Sequence, residues 1–299
     1  MKILLITTPM PEAYFSAALR HMQPDIDVLD YRRDLSDAEL AEVEVVLAWS
    51  LPPGLAGRLK KLKWVCSVAA GVEKLLVDDL AAEVPVSRIV DPEQAEGIAQ
   101  FTVLMALRHA RGLAAYAEQQ QRREWIRQPV AVVRHRVAVL GMGAMGNTVA
   151  RLMAQVGFQV EGWTRRSADT LDAVLERSEI VVLALPLTAE TEGILDARAF
   201  ARMPRGGYLI NIARGAHVVE ADLIAAVQSG HLAGAALDVQ CREPMPADDP
   251  LWAVPGIVIT PHIAAQSSPQ TIAAQFLAGL ACVKRGDLPP QLVDRVRGY

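Results

Sequence analysis

Residues 137–166 limit what this chain can fold into more than any other stretch. Val137–Leu140 is a short apolar run rich in β-branched residues, the pattern of a strand buried on both faces. Gly141, Met142, Gly143, Ala144, Met145 and Gly146 follow directly, which sets three glycines in G-x-G-x-x-G spacing. From Ala144 to Val156 apolar residues recur at helical spacing, and Gly157 stands where a C-cap belongs. Phe158–Trp163 then reads as a second strand and closes a βαβ unit. In such a unit the glycines allow a tight turn, close approach of backbone to a pyrophosphate, and close packing of helix on strand. The helix N-terminus adds N–H groups and a partial positive charge for that phosphate. An ordinary glycine-rich turn has the same spacing, but the flanking strand, helix and strand favour a dinucleotide site.

The end of the second strand indicates which dinucleotide. An NAD site usually places Asp or Glu there, hydrogen-bonded to the adenine ribose hydroxyls. This chain has Thr164, Arg165 and Arg166 instead. A hydroxyl and two guanidinium groups suit a 2′-phosphate, which a carboxylate would repel. The expectation is NADP(H) in preference to NAD(H), the alternative being two solvated arginines on a loop.

A chain of 299 residues is long enough for two domains and a sizeable core. Hydrophobic residues at 52% and charged residues at 21% are those of a globular protein in water. A net charge of -4 gives no bulk attraction to nucleic acid or to an anionic membrane. No apolar run approaches the ~20 residues of a membrane span. Ile3–Ile6 is too short for a signal-peptide core and reads as a first strand, ended by Pro9 and Pro11. The three cysteines, Cys66, Cys241 and Cys282, are far apart and in no metal-ligand spacing. They read as thiols of a reducing cytoplasm, and no metal is expected.

Taken in order, residues 1–91 alternate short apolar runs with helical patterns. Strands are expected at Lys2–Thr7, Ile26–Leu29, Val45–Trp49, Trp64–Ser67 and Val86–Ile89. Helices are expected at Pro11–His21, Ser36–Ala41 and Leu55–Lys60, giving a parallel α/β layer in its own right. Ala69, Ala70, Gly71 and Val72 follow a strand and read as the start of a helix, whose amides can hold an anion; a plain turn is the alternative. Trp49, beside Pro52 and Pro53, either fills core or walls a pocket. A long helical pattern runs from Pro92 to about Gln120, with Asp91 as a candidate N-cap, and leads into the glycine unit. A last helical pattern runs from Ser268 and Pro269 to about Lys284. The expected architecture is therefore α/β with two parallel-sheet domains of Rossmann-like or flavodoxin-like type. The nucleotide-binding domain, 92–265, is inserted in a discontinuous substrate domain, 1–91 with 266–299. Two chain crossings are expected to leave a small-molecule cleft.

Beyond Arg166 each strand pattern ends in a loop that can carry chemistry. Glu179–Leu185 ends at Pro186, Tyr208–Asn211 at Ile212, Ala213 and Arg214, Ala233–Val239 at Asp238, and Ile257–Thr260 at Pro261 and His262. In open parallel sheets the site lies beyond the carboxyl ends of the strands. Arg214 sits in a glycine-flanked turn, where its planar fork can clamp a carboxylate and polarise an adjacent carbonyl. Asp238 either accepts from a nicotinamide amide or caps a loop. Of the six histidines, His21, His109, His135, His217 and His231 read as solvated or structural. His262, at a strand's carboxyl end, can pass a proton to or from an alcohol near neutral pH. Glu243 is a candidate carboxylate to orient it, although spacing alone favours a surface loop residue.

With these residues in view, the chain resembles the D-isomer-specific 2-hydroxyacid dehydrogenases. The resemblance rests on the Gly141–Gly146 turn, Leu185-Pro186-Leu187-Thr188, Asn211-Ile212-Ala213-Arg214-Gly215, Arg242-Glu243-Pro244 and Thr260-Pro261-His262, in that order. Within the family it is similar to the bacterial glyoxylate/hydroxypyruvate reductases of the A type. That similarity includes Ala213-Arg214-Gly215-Ala216-His217-Val218-Val219-Glu220 and the terminal Val293-Asp294-Arg295-Val296-Arg297-Gly298-Tyr299. The resemblance implies that Arg214 binds a 2-oxo acid, that His262 is the acid/base, and that Glu243 pairs with it. Ala70, Gly71 and Val72 match the family's substrate-carboxylate loop, with Ala where Gly is commoner. It also implies reduction of glyoxylate or hydroxypyruvate by NADPH, and a homodimer formed through the nucleotide domain. The alternatives are a dehydrogenase for another D-2-hydroxy acid, using NAD or NADP, or a non-enzymatic NAD(P)H-sensing protein of the same fold.

Overall fold

The computed structural model describes every residue except Pro9, Val130, Ala131, Val133, Val296 and Tyr299, and the side chain of Glu12. The strand stop at Pro9 and the Val296 and Tyr299 positions of the terminal motif therefore lie outside the described residues. The chain forms two compact units, Met1–Pro92 with Gln266–Tyr299, and Glu93–Ala265.

In chain order the elements up to residue 122 are β1 (Ile3–Ile6), α1 (Glu12–Met22), β2 (Val28–Asp30), α2 (Asp37–Ala41), β3 (Val45–Ala48), β4 (Trp64–Ser67), β5 (Val86–Ser87), α3 (Pro92–Ala110) and α4 (Leu113–Arg122). Then come β6 (Arg136–Leu140), α5 (Ala144–Gln155), β7 (Gln159–Trp163), α6 (Leu171–Arg177), β8 (Ile180–Leu183), α7 (Ala197–Arg202), β9 (Gly207–Asn211), α8 (Glu220–Gln228), β10 (Leu232–Leu237), β11 (Ile257–Ile259) and α9 (Pro269–Arg285).

In the first unit the sheet order is β2-β1-β3-β4-β5, with every pair parallel. This is the flavodoxin-like order of a doubly wound sheet. Alternate residues of one strand serve two cores. Leu4, Ile6, Val46, Ala48 and Val65 pack with Leu40, Leu55 and Leu75, while Ile3, Leu5, Val45, Leu47 and Trp64 pack with Phe15, Leu19, Ile272 and Phe276. Because both faces are covered, the strands read as unbroken apolar runs rather than alternating ones. The C-terminal helix α9 is tied into this unit by Phe276, stacked on Trp64 at 5.1 Å, and by Gly279, where an added Cβ would lie 2.6 Å from the Trp64 ring.

In the second unit the sheet order is β11-β10-β9-β8-β6-β7, again parallel throughout. Val174, Phe200 and Leu223 from α6, α7 and α8 cover one face, and Val103, Val149 and Met153 from α3 and α5 the other. The chain runs from β6 outward to β7, then returns past β6 to β8. The β6/β8 gap is thus a topological switch point, where doubly wound sheets bind ligands.

Four expectations need correction. The long helix is two: the chain breaks at Arg111–Gly112, where Gly112 has φ 62 and opens α4. Apolar spacing runs on through the break, but only glycine takes that backbone conformation without strain. Leu55–Lys60 forms a short 3-10 turn at Ala56–Arg58 rather than an α-helix. No helix begins at Ala69–Val72; the Ser67 hydroxyl donates to Gly71 O at 2.8 Å and accepts from Ala69 N at 3.0 Å, and Leu75 N closes a turn onto Val72 O. Ile26 lies before β2, its N–H turned back onto Gln23 O at 3.1 Å.

Candidate functional site

In the second unit the parallel strands put six loops on one edge of the sheet: Gly141–Gly146 after β6, Thr164–Ser167 after β7, Ala184–Thr191 after β8, Ile212–His217 after β9, Asp238–Glu243 after β10 and Thr260–Ala265 after β11. A Cβ on Gly146 would lie 1.7 Å from Gly141 O, and one on Gly141 would lie 2.5 Å from Ala184 O. The turn, the helix it opens and the β8 loop therefore meet backbone to backbone. Gly143, the N-cap of α5, is different: a Cβ there would meet nothing within 4 Å. That open face beside a helix N-terminus is the cradle a pyrophosphate requires.

The loop after β7 is a closed turn. Thr164 N donates to Ser167 Oγ at 2.9 Å and Ser167 N donates to Thr164 O at 2.9 Å, which projects Arg165 and Arg166 outward. The two are not equivalent. Arg165 Nη1 is 3.1 Å from Glu190 Oε2, whereas the Arg166 guanidinium has no partner among the described residues. Glu190 comes from the β8 loop, beyond Leu185 and Pro186. The Thr188 hydroxyl holds its carboxyl below the usual range, with Arg165 a lesser cause.

Arg214 follows a buried Asn211 that shapes its turn: Asn211 Oδ1 accepts from Ala213 N at 3.0 Å, and Nδ2 donates to Arg214 O at 2.9 Å. Arg214 Nη1 donates to Ala213 O at 2.6 Å. The next residue must be glycine, because a Cβ on Gly215 would lie 2.0 Å from the Gln240 carbonyl carbon. That close approach brings the Arg214 turn against the loop carrying Glu243.

His262 and Glu243 meet. His262 Nδ1 is 3.0 Å from Glu243 Oε2, and Glu243 Oε1 accepts from Gln240 N at 3.1 Å. A carboxylate only accepts, so Nδ1 carries the hydrogen and Nε2 is the nitrogen left to exchange a proton. The His262 backbone has φ 55, a left-handed conformation that costs a non-glycine residue on the order of 1–3 kcal/mol. Asp238, 2% exposed, holds it there. Its Oδ1 accepts from Thr260 Oγ1 at 2.6 Å and from Ile263 N at 2.9 Å, its Oδ2 accepts from Ala264 N at 3.0 Å, and its backbone O accepts from His262 N at 2.8 Å. Of the two readings open for Asp238, the loop cap is the one this geometry displays.

In the first unit Trp49 is half-buried against the core, with Lys74 Nζ 5.7 Å from the centre of its ring. The backbone N–H groups of Ala70, Gly71 and Val72 have no protein acceptor among the described residues. No group of three or more His, Cys, Asp or Glu able to hold a metal occurs among the described residues.

The family model for the NAD-binding domain of the D-isomer-specific 2-hydroxyacid dehydrogenases matches residues 103–264. A glyoxylate/hydroxypyruvate reductase A of Yersinia enterocolitica is 34% identical, with 95% of each chain covered. The chain belongs to the D-isomer-specific 2-hydroxyacid dehydrogenase family. Among solved members, one from Xanthobacter autotrophicus Py2, in complex with NADPH and MES, is 36% identical with a TM-score of 0.89, covering 100% of this chain and 99% of that one. The NADPH-dependent glyoxylate/hydroxypyruvate reductase of Sinorhizobium meliloti, in complex with NADP and sulfate, is 32% identical with a TM-score of 0.89 over the same shares.

In this dehydrogenase two residues of the edge tie its loops together, His217 as one of the structural histidines and Glu190, to which the sequence assigns no role. His217, read as solvated or structural, is fully buried, with Nδ1 3.0 Å from Arg214 O and Nε2 3.2 Å from Pro186 O. It ties the Arg214 turn to the β8 loop, and its position three residues after Arg214 was the available signal. Glu190 gave none, because its contact with Arg165 joins loops from different strands.

Proposed function

We propose that this dehydrogenase reduces glyoxylate and hydroxypyruvate to glycolate and D-glycerate with NADPH. The observation that carries the reading is the His262–Glu243 pair at 3.0 Å, on the sheet edge that also bears the glycine turn. Bound NADPH supplies a hydride to the carbonyl carbon. The residues of the chain do the rest. Gly141–Gly146, with Met142, Ala144 and Met145 between them, receives the pyrophosphate at the start of α5. Thr164, Arg165 and Arg166 receive the 2′-phosphate. Leu185, Pro186, Ile212 and Ala213 would line the cofactor, and Asp238 would shape the loop that borders it.

His262 in its protonated form gives the Nε2 proton to the carbonyl oxygen as the hydride arrives, so that a C–H and an O–H bond form together and a neutral alcohol leaves. Glu243 holds Nδ1 and stabilises the charged ring. The Arg214 fork binds the substrate carboxylate, which fixes the face of the carbonyl, and the Ala70, Gly71 and Val72 amides are assigned to the substrate as further donors. Trp49 flanks the substrate. Those three amides have no protein acceptor among the described residues, which leaves them available to a carboxylate.

The protein acts in the cytoplasm as a homodimer. Unpaired Cys66, Cys241 and Cys282 support the compartment. No helix among the described residues is long and apolar enough to cross a membrane. Leu104, Leu113, Trp125 and Ile126, exposed on and after α3 and α4, support a subunit contact through the nucleotide unit. Light scattering on the intact protein and on Trp125→Glu tests this; a monomeric parent protein would refute it.

The test of the activity is a panel of 2-oxo acids, each assayed with NADPH and with NADH by absorbance. Glyoxylate and hydroxypyruvate with NADPH are expected to give the highest kcat/KM. A bulkier 2-oxo acid in first place would transfer the protein to another D-2-hydroxy acid, and no turnover with any acid would refute the reading.

A further inference from the structure

The two arginines after β7 differ in one respect that bears on cofactor choice. Arg166 has no side-chain partner among the described residues, whereas Arg165 already has an anion beside it, Glu190 Oε2 at 3.1 Å. That carboxylate is held in place. The Thr188 hydroxyl donates to Glu190 Oε2 at 2.7 Å, and the turn around it is closed by Thr188 N onto Thr191 Oγ1 at 2.8 Å and Thr191 Oγ1 onto Pro186 O at 2.7 Å. Thr191, which locks the turn, is 1% exposed. The facing turn is closed as well, by Thr164 N onto Ser167 Oγ at 2.9 Å. Two hydrogen-bonded turns thus bring one carboxylate and one guanidinium together where the adenine ribose of a dinucleotide lies in this fold.

We propose that Glu190 is a specificity-determining residue, a carboxylate that occupies Arg165 and competes with the 2′-phosphate of NADPH for it. The inference rests on the assignment of Arg165 and Arg166 to that phosphate. A phosphate arriving at Arg165 must displace Glu190 or sit beside it, and either way it meets a like charge. NADH brings a 2′-hydroxyl instead, which can donate to the same carboxylate. Glu190 therefore narrows the preference for NADPH that the two arginines create, and leaves the site usable by NADH. Both partners are substantially exposed, so the effect is modest and screened by salt.

The test is Glu190→Gln, which keeps the shape of the side chain and its contact with Thr188 while removing the charge. NADPH and NADH are titrated separately by cofactor fluorescence, at low and at high ionic strength. The expected result is that NADPH binds about two- to fivefold tighter at low salt, NADH no tighter than before, with the gain shrinking at high salt. An unchanged ratio of the two dissociation constants, or a ratio moved toward NADH, overturns the proposal. The double variant Arg165→Ala with Arg166→Ala separates the two ways of failing. If it weakens NADPH far more than NADH while Glu190→Gln changes nothing, the role of Glu190 alone is wrong. If it weakens both equally, the 2′-phosphate assignment falls and this inference with it.

Discussion

Adding one methyl group at each of two neighbouring glycines separates what holds the fold from what holds the cofactor. In Gly146→Ala the new Cβ would lie 1.7 Å from Gly141 O, an atom of the backbone that cannot rotate aside. To restore ordinary contact at 3.4 Å the start of α5 must retreat from the glycine turn by about 1.7 Å. Forcing packed backbone apart by that much belongs at the top of the overpacking range, about 3 kcal/mol, and lowers the melting temperature by about 6–12 °C in a unit of this size. Gly143→Ala is the counterpart. Its φ of -83 and ψ of -163 suit alanine, and the Cβ would meet nothing within 4 Å, so the melting temperature should move by no more than about 1 °C. The methyl group instead fills the space into which the pyrophosphate must come, and losing about 3 kcal/mol of charge-assisted hydrogen bonding there weakens NADPH by about a hundredfold. Thermal unfolding by circular dichroism and NADPH titration by fluorescence measure the two effects independently. Gly143→Ala with undiminished NADPH affinity would refute the placement of the cofactor, and Gly146→Ala melting with the parent protein would refute the packing argument.

Three further outcomes follow from named contacts. Glu243→Gln keeps a group beside His262 Nδ1 but removes the charge that stabilises the protonated ring, so kcat should fall by about ten- to a hundredfold with NADPH affinity unchanged; an unaltered kcat would show that the 3.0 Å contact has no part in proton transfer. His217→Leu removes the imidazole between the Arg214 and Pro186 carbonyls, each of which keeps another donor in Asn211 Nδ2 and Thr191 Oγ1, so stability should fall by only about 1 kcal/mol while KM for the 2-oxo acid rises; His217→Gln, which can still donate, should recover much of both, and equal behaviour of the two variants in melting and kinetics would contradict the tie. His109, stacked on Tyr208 at 4.3 Å, has its pKa pushed down to about 4 from 6.5, first by burial and then by the nearby His135. Because the folded value is the lower one, the unfolded chain takes up a proton first as pH falls; stability is whole above 6.5 and declines between 6.5 and 4 by up to about 3 kcal/mol. His109→Phe should flatten that slope in urea unfolding at several pH values, and an undiminished slope would place its origin elsewhere.

Local signals made much of this protein legible in its sequence. Strands buried on both faces, such as Val137–Leu140 and Trp64–Ser67, are continuous apolar runs because each alternate side chain finds its own core. Gly141, Gly143 and Gly146 are readable from their spacing after a strand, and the close approach of Gly146 to Gly141 O lies within that one turn, although Gly141 also abuts Ala184 of the β8 loop. The misreadings arise where a local pattern is overridden or is silent. Apolar spacing passes through Gly112 unbroken while the backbone does not, so one helix was expected where α3 and α4 stand. At Ala69–Val72 the Ser67 hydroxyl takes up the backbone that a helix would have used. Glu190 meets Arg165, and His217 meets Pro186, across loops from different strands, a relation no spacing rule contains; only the contact of His217 with Arg214, three residues before it, is local. Asp238 was open to two readings in the sequence, because only the folded β11 loop shows three donors converging on its carboxylate.

The central claim is that a hydride passes from NADPH to the carbonyl carbon of a small 2-oxo acid in this protein while His262 supplies the proton. It is tested most directly with NADPH deuterated at the transferable C4 position and hydroxypyruvate as acceptor, the product being analysed by mass spectrometry and chiral chromatography. The account predicts D-glycerate carrying one deuterium at C2, formed by the parent protein and lost by orders of magnitude in His262→Ala with NADPH binding retained. Glycerate without deuterium, the L-enantiomer, or undiminished turnover in His262→Ala would contradict it.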